Sequence, residues 1–561
     1  MKYSILCDVY EELEKHSSRL EKTEILASFL KKLKKEDKEL IYLLQGRIFP
    51  DYDEREMGIS TQLAIKALSK STGSSPSEIE KSWKKLGDLG LVAEQIVEKK
   101  KQSTLSDEDI STEKVLKNLQ KLPELEGKGA IDKKLSLIAE LLTAATPKEA
   151  KYLIRTLLGD LRIGTGSGTL RDAIVWACFD KEDKEAYELV QDAFDKATDW
   201  KLVFEASCKG KKELKKTELT PGQAVKVMLY PKVKNIDEAF ERAGKPAAFE
   251  FKYDGFRMMI NKEENGKIKL FTRRLDNVSR QFPDVVKYIK DNIKGKSFII
   301  DAEAVGYDPK TKIYRPFQEI SQRIKRKYDI EKLEKELPVE VIIFDVIYYE
   351  GKSYIKTPFE ERRKLLKKIV KQEKHKTILA KQLITDKELA AQKFFDKAIE
   401  EGQEGLMVKR LYAPYKPGSR IGYGYKLKPE DKDFDLVITE AEYGTGKRAG
   451  WLTSYSVSCK SDNKFLEVGK VSTGLKEKDE EGLSFNKMTK ILKPLIEKEH
   501  GRKVLVKPKV VVAVTYQNIQ KSPTYTSGYA LRLPRITHLR PDRNTSDIAT
   551  KKEIEKEYKK H

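Results

Sequence analysis

The stretch "FEFKYDGFR", Phe249 to Arg257, decides how the middle of this chain is read. In an extended strand successive side chains point to opposite faces. Glu250, Lys252 and Asp254 then share one face, while Phe251 and Tyr253 share the other, which suits a core. Taken alone, the same pattern fits an ordinary amphipathic strand with a solvated charged face. The neighbouring sequence separates the two readings.

Charges recur on nearby apolar runs. Asp301 and Glu303 lie in "IIDAEAV", Lys426 and Lys428 in "YKLKP", and Glu404 and Lys409 bracket "EGLMVK". Charges set in an apolar frame must be paired or must meet a ligand. A set of acids and lysines of this kind suits phosphoryl or nucleotidyl transfer. A lysine attacks only as the neutral amine, a form favoured by burial or by other lysines nearby. Lys426 and Lys428 can do this for Lys252 while binding phosphate. Glu303 and Glu404 can hold Mg2+, which takes carboxylates together with phosphates. Phe344 can stack on a base.

Working outward, 561 residues predict about three or four domains. Hydrophobic residues at 39% are enough to fill cores. No apolar run reaches the roughly 18 residues of a membrane span. The acidic, helical N-terminus lacks the pattern of a signal peptide, so an intracellular, cytoplasmic protein is expected. Cys7, Cys178, Cys208 and Cys459 are scattered, which argues against a zinc module or a disulfide framework. The five isolated histidines disfavour a His-ligated zinc enzyme. A net charge of +22 and a pI of about 9.3 favour a nucleic-acid partner.

Residues 1 to about 90 read as helices, among them "CDVYEELEKH" and "TEILASFLKKL". One helix runs from the Ser-Pro-Ser cluster at 75–77 through Trp83 and Leu86 and breaks at Gly87 and Gly90. Residues 98–112 read as an exposed loop, and helices resume to Lys201. "RIGTGSGTL" is a Gly-rich turn between helices that fits neither a dinucleotide fingerprint nor a P-loop. A helix N-terminus there can hold a DNA phosphate, and a plain turn fits equally. Residues 202–224 read as a Lys-rich linker. Strands and helices then mix, with a hairpin predicted at Asn265-Gly266. After Pro429 come short strands with one helix near "FNKMTKILKPLIEKEH", as in a small closed barrel.

With these pieces assembled, "EFKYDGFR" resembles the K-x-D-G signature of the nucleotidyltransferases that include DNA ligases and mRNA capping enzymes. "FTRRLDN", "IIDAEAV", "IIFDVIYYEG", "EGLMVKR" and "YGYKLKP" follow in the order of that family's motifs. "ALRLPRITHLRPDR" resembles the last motif of ATP-dependent ligases. "RTLLGDLRIGTGSGTLRDAI" resembles the helical DNA-binding domain of archaeal and eukaryotic replicative ligases. The resemblance spans nearly the whole chain.

It implies a multi-domain fold: an all-α DNA-binding domain at 1–215, an α+β nucleotidyltransferase (adenylation) domain at 216–429 and a β-barrel OB-fold domain at 430–561. It implies that ATP is the donor, with Mg2+ or Mn2+ as the metal, and that a monomer seals nicked double-stranded DNA in replication, repair and recombination. Lys252 would become the lysyl-AMP. Glu250 would contact adenine, Arg257 and Arg273 ribose and phosphate, and Glu303 ribose or metal. Phe344 would stack on adenine, and Glu404 would help hold Mg2+. Arg420, Lys426 and Lys428 would meet phosphate. Asp254, Gly255, Asp301 and Lys409 would support the motifs. Arg532, Arg535, Arg540 and Asp542 would orient pyrophosphate. Arg543 ends the last motif where many relatives have Lys, which keeps the charge. Relatives often carry a sliding-clamp sequence in the loop that here reads "KKKQSTLSDED"; Gln102 and Leu105 are present without an aromatic pair.

Two other classes share parts of this reading. A capping enzyme or RNA ligase would use the same lysine chemistry, but the large helical N-terminal region argues against it. A non-catalytic DNA-binding scaffold would fit the charge and the barrel, yet it has no use for Lys252, Glu404 and Lys426 together. The missing four-cysteine zinc module disfavours an NAD-dependent bacterial-type ligase.

Overall fold

Apolar stripes at helical spacing build the N-terminal region. Tyr3–Lys15 buries Tyr3, Leu6, Tyr10 and Leu13 along one face. That face joins the buried sides of Arg19–Lys32, Pro147–Leu157 and Ser167–Cys178 in one hydrophobic core. Inside it Arg155 forks onto two acids, donating to Glu14 at 2.9 and 3.0 Å and to Asp88 at 2.7 and 3.1 Å. The computed structural model describes every residue except 54, 100–108, 128, 316, 325, 327–328, 419–421, 430–431, 445–447, 449, 463 and 560–561. Gln102, Leu105 and Arg420 therefore lie outside the described residues.

Two local readings are corrected here. Ser75 and Glu78 form a reciprocal cap on Pro76–Leu86, and Gly87 ends that helix with φ +68°. Gly90, however, lies in the first turn of Leu89–Glu98, where a Cβ would fall 2.8 Å from the Lys151 carbonyl oxygen. It is a packing glycine, not a break. Residues 202–224 begin as helix: Asp199 caps Trp200–Lys209, and Trp200, Val203 and Phe204 bury its inner face. The run of lysines from Lys209 to Lys216 masks that stripe in the sequence. Cys178 and Cys208, far apart in the chain, bring their sulfur atoms to 3.4 Å as free thiols.

Beyond the helices two sheets carry the charged strands. One has the spatial order Lys232–Val233, Gly424–Leu427, Leu406–Arg410, Ala247–Phe251, Gln382–Thr385. Phe249, Phe251, Leu406, Val408 and Leu427 turn to a shared apolar core, leaving Glu250, Met407, Lys409 and Lys426 on the opposite face. The second runs Ile268–Thr272, Phe256–Lys262, Phe298–Gly306, Val339–Tyr349, Lys352–Ser353. Its predicted hairpin forms, with Lys262 opposite Ile268 and Gly266 at φ +84°. Asp301 pairs with Asp345 and Ala302 with Ile343, so Phe344 is the extra residue of a β-bulge.

The chain forms two compact units, Met1–Leu427 and Lys428–His561. In the second, Lys432–Tyr443 pairs with Leu452–Ser461 on one edge and with Lys503–Val506 and Val511–Tyr516 on the other. The helix expected near "FNKMTKILKPLIEKEH" forms over Phe485–Leu492. A short turn containing Pro494 follows, and Ile496–His500 pairs as a strand with Lys503–Val506. Proline removes the donor that a continuing helix needs. Lys551–Tyr558 is helical, capped by Thr550 and Glu553, and buries Ile554. Among the described residues no helix is long and apolar enough to cross a membrane.

Candidate active site

Lys252 stands one residue beyond the Ala247–Phe251 strand, not within it. The ladder nevertheless continues in its backbone: its N–H donates to the Gly405 carbonyl and its carbonyl accepts from the Glu404 N–H, both at 2.8 Å. The alternation read from the sequence survives, with Phe251 and Tyr253 buried and Lys252 and Asp254 half-buried. Lys252 Nζ donates to Glu404 Oε2. The solvated-face reading fails at Glu250, which is 1% exposed.

Glu250 is held on both sides. Lys409 Nζ lies 2.6 Å from its Oε2, and Gln382 Nε2 donates to its Oε1 at 2.9 Å. Arg363 approaches Oε1 at 3.8 Å. The register explains the grouping. Glu250 sits opposite Met407 on one side and Gln382 on the other, and Met407 sits opposite Lys426. Cross-strand partners share a face.

The second sheet supplies the other wall. Arg257 lies opposite Glu303 in register. Its Nε donates to Asp301 Oδ1 at 2.8 Å, its Nη2 donates to Asp301 Oδ2, and its Nη1 donates to the Met228 carbonyl at 2.6 Å. The Tyr415 hydroxyl donates to Asp301 Oδ2 at 2.7 Å and accepts from the Met228 N–H at 3.1 Å. Burial pushes the Glu303 carboxyl up to about 7, against the pull of Lys252 and Arg257. Gly255 is required by close approach, since a Cβ there would lie 2.4 Å from the Ala304 carbonyl oxygen. Asp254 Oδ2 accepts from the Phe317 N–H at 3.3 Å, at the start of the Phe317–Ile324 helix. The bulge leaves the Phe344 ring half-buried, with the Arg257 guanidinium 5.5 Å and Lys409 Nζ 4.8 Å from its centre.

Lys252, Glu404, Glu303, Arg257 and Asp301 are thus brought together, as are Glu250 and Lys409. Arg273 is exposed in the turn after Ile268–Thr272. Lys428 begins the second unit. In that unit Arg540 forks onto Asp435 at 2.9 and 3.0 Å and onto Asp542 at 2.7 and 2.9 Å. Arg535 is exposed on its strand and Arg532 follows Tyr529–Leu531. Sequence reading missed Gln382 and Tyr415. Neither belongs to a charged pair; a register position marks Gln382 and a hydrogen bond to Asp301 marks Tyr415.

The side chains fit both a metal and a nucleoside triphosphate. Among the described residues no group of three or more His, Cys, Asp or Glu side chains is gathered for a metal. Glu303 and Glu404 interact across the Lys252 amine. Two carboxylates suit a hard cation that completes its shell with phosphate oxygens and water. The cations Lys252, Arg257, Lys409 and Lys426 and the half-buried ring of Phe344 suit phosphates and a base.

Comparison with known proteins gives the same order of parts. Residues 2–175 match the family described as DNA ligase N terminus, and residues 227–428 the ATP dependent DNA ligase domain. Residues 448–543 match the ATP dependent DNA ligase C terminal region. A DNA ligase of Nanoarchaeum equitans is 44% identical, covering 100% of this chain and 98% of its own. Those of Thermococcus fumicolans and Archaeoglobus fulgidus are 40% and 37% identical, covering 100% of this chain and 98% and 99% of theirs. The solved structure named "Pmar-Lig_Pre" has a TM-score of 0.57 at 17% identity, covering 95% of this chain and 99% of its own, a likeness of fold.

Proposed function

The chain belongs to the ATP-dependent DNA ligase family, and from that premise we propose that Lys252 is the residue that carries AMP from ATP to the DNA. The observation that carries this assignment is the Lys252 amine hydrogen-bonded to Glu404, with Glu303 and Arg257 beside it. Its backbone is fixed by two ladder bonds while the amine end reaches the half-exposed side of the sheet.

In the first step the Lys252 Nζ–H proton passes to Glu404 Oε2 as the amine attacks the α-phosphorus of ATP. An N–P bond forms, the bond to the pyrophosphate oxygen breaks, and pyrophosphate leaves. Glu250 holds adenine, Phe344 stacks on it, and Arg257 with Arg273 holds ribose and phosphate. Lys426, Lys428 and Arg420 meet phosphate oxygens. Mg2+ or Mn2+, held by Glu303 and Glu404, would neutralise charge developing on those oxygens. The 5′-phosphate of the nick then displaces Lys252, and attack by the 3′-hydroxyl releases AMP. Pyrophosphate handling is assigned to Arg532, Arg535, Arg540 and Asp542. Asp254 and Gly255 fix the turn after the nucleophile, and Asp301 and Lys409 hold Arg257 and Glu250.

We take 1–215 as the helical DNA-binding domain, 216–429 as the adenylation domain and 430–561 as an OB-fold domain, in a monomeric cytoplasmic enzyme. A sliding clamp is a proposed partner through the loop near Gln102. The curled pairing of Lys432–Tyr443 with strands on both edges supports the OB assignment. Incubation with Mg2+ and ATP, GTP or NAD in turn, followed by mass spectrometry of the protein, tests the central claim. An AMP adduct on the wild type, absent from Lys252→Ala and discharged by nicked DNA, is expected. An adduct that persists in Lys252→Ala would move the nucleophile elsewhere.

A further inference from the structure

We propose that Gln382 sets the enzyme's preference for adenine, acting as a positioning residue through Glu250. The inference rests on the reading that Glu250 faces the base.

Gln382 opens the edge strand Gln382–Thr385 and lies directly opposite Glu250. Its side-chain amide donates to Glu250 Oε1 at 2.9 Å, while Lys409, on the strand at the other flank, lies 2.6 Å from Oε2. Each oxygen is therefore anchored from its own side, with Gln382 the hydrogen-bond donor to Oε1 and Arg363 farther from that oxygen at 3.8 Å. A carboxylate gripped at both oxygens cannot swing about its terminal torsion, and while ionised it offers only acceptor lone pairs. Adenine carries an amine donor on its six-membered ring at the place where guanine carries a carbonyl acceptor. A fixed acceptor rewards the first and repels the second. Lys409 alone supplies charge but leaves the plane of the carboxylate open, because an ammonium is a point donor on a flexible stem. The planar amide of Gln382 adds the second constraint.

The same geometry explains why a neutral residue occupies this position. A carboxylate at 382 would face Glu250 directly, and like charges directly opposite on paired strands are destabilising. A lysine would place a second ammonium on Glu250 and compete with the base amine for its lone pairs.

The test measures single-turnover adenylation with ATP, GTP and purine riboside triphosphate, which lacks the exocyclic amine. It is run on the full-length wild type, on Gln382→Leu, which keeps bulk and removes the donor, and on Gln382→Asn, which keeps an amide but shortens its reach. We expect the wild type to favour ATP over the amine-free donor. That ratio of kcat/KM should fall by ~10-fold in Gln382→Leu, with the amine-free donor itself used as before. Gln382→Asn should fall between them. Damage to the fold would lower both donors together and leave the ratio alone. An unchanged ratio in Gln382→Leu, with the wild type still favouring ATP, overturns the role of Gln382 and leaves the Glu250 reading standing. No preference in the wild type overturns the Glu250 reading itself, and the proposal with it.

Discussion

Lys252 and Glu404 are joined twice: the Lys252 carbonyl accepts from the Glu404 N–H at 2.8 Å, and the Lys252 amine donates to the Glu404 carboxylate. The backbone bond fixes how far the two side chains can part. Glu404→Gln keeps the size of the side chain and the backbone bond but removes the proton acceptor. We expect adduct formation from ATP to slow by ~10²- to 10⁴-fold, the usual contribution of a positioned base. Stopped-flow pyrophosphate release gives the rate, and a variant within threefold of wild type would exclude Glu404 as the acceptor.

Asp301 is fully buried between Arg257 and Tyr415. Removing it strands a guanidinium inside the protein, so Asp301→Ala should cost about 3–5 kcal/mol in denaturant unfolding. Tyr415→Phe removes one hydroxyl and should cost about 1 kcal/mol. If the two losses were equal, the carboxylate would not be the centre of that group.

Glu303 sets a pH dependence. Burial raises its carboxyl to about 7, and in an unfolded chain it would titrate near ~4.3. The folded state thus holds the proton more tightly between those limits. The stability this contributes is complete below the lower limit and is lost as pH rises through about 7. Glu303→Gln should flatten that decline in thermal unfolding across pH 5–8, while weakening Mg2+-dependent adenylation above pH 7. A wild-type profile already flat over that interval would contradict the assignment.

The acid limb has a different origin. Burial alone would raise Glu14, but its bonds to Arg155, Lys151 and Tyr152 prevail and bring it down to about 2. Its folded pKa is depressed, so its contribution is present above the unfolded value near ~4.3 and disappears as pH falls through about 2. Arg155→Ala should shift the acid unfolding midpoint upward, as read by circular dichroism between pH 2 and 5.

Gly90 offers a packing test free of charge effects. A methyl group at this position meets the Lys151 carbonyl at 2.8 Å and Arg155 Cγ at 2.7 Å. Gly90→Ala should destabilise by about 1–3 kcal/mol despite alanine's better helix propensity. A stabilised variant would mean that Leu89–Glu98 can retreat from its neighbour.

Much of this could be read in advance because alternation and helical spacing are local signals. Phe251 and Tyr253 on one side, with the charged residues on the other, follow from "FEFKYDGFR" alone. The reading failed where a tertiary partner decides the outcome. Trp200–Lys209 reads as linker because the lysines from Lys209 to Lys216 set the character of the stretch that follows its apolar stripe, and Gly90 reads as a stop because the helix that crowds it lies far off in sequence. Gln382 and Tyr415 are uncharged, and what marks them is a cross-strand register and a hydrogen bond to a carboxylate more than a hundred residues away. Ile496–His500 does not read as a strand because a helix-like run of lysines and glutamates continues past Pro494.

Phe344 is surplus to the sheet that carries it. Ile343 pairs with Ala302 and Asp345 with Asp301, so the alternation of inward and outward residues steps from Ile343 directly to Asp345. Deleting Phe344 would remove this bulge and leave only the one at Ile347, with every later side chain still on its own side. Deleting either neighbour would instead remove a paired position. An in-frame deletion of Phe344 should therefore fold and remain stable while losing its grip on the base. In this strand the side chain proposed to stack on the base has been added to the architecture without displacing any part of it, so it can be changed or removed while the architecture stays the same.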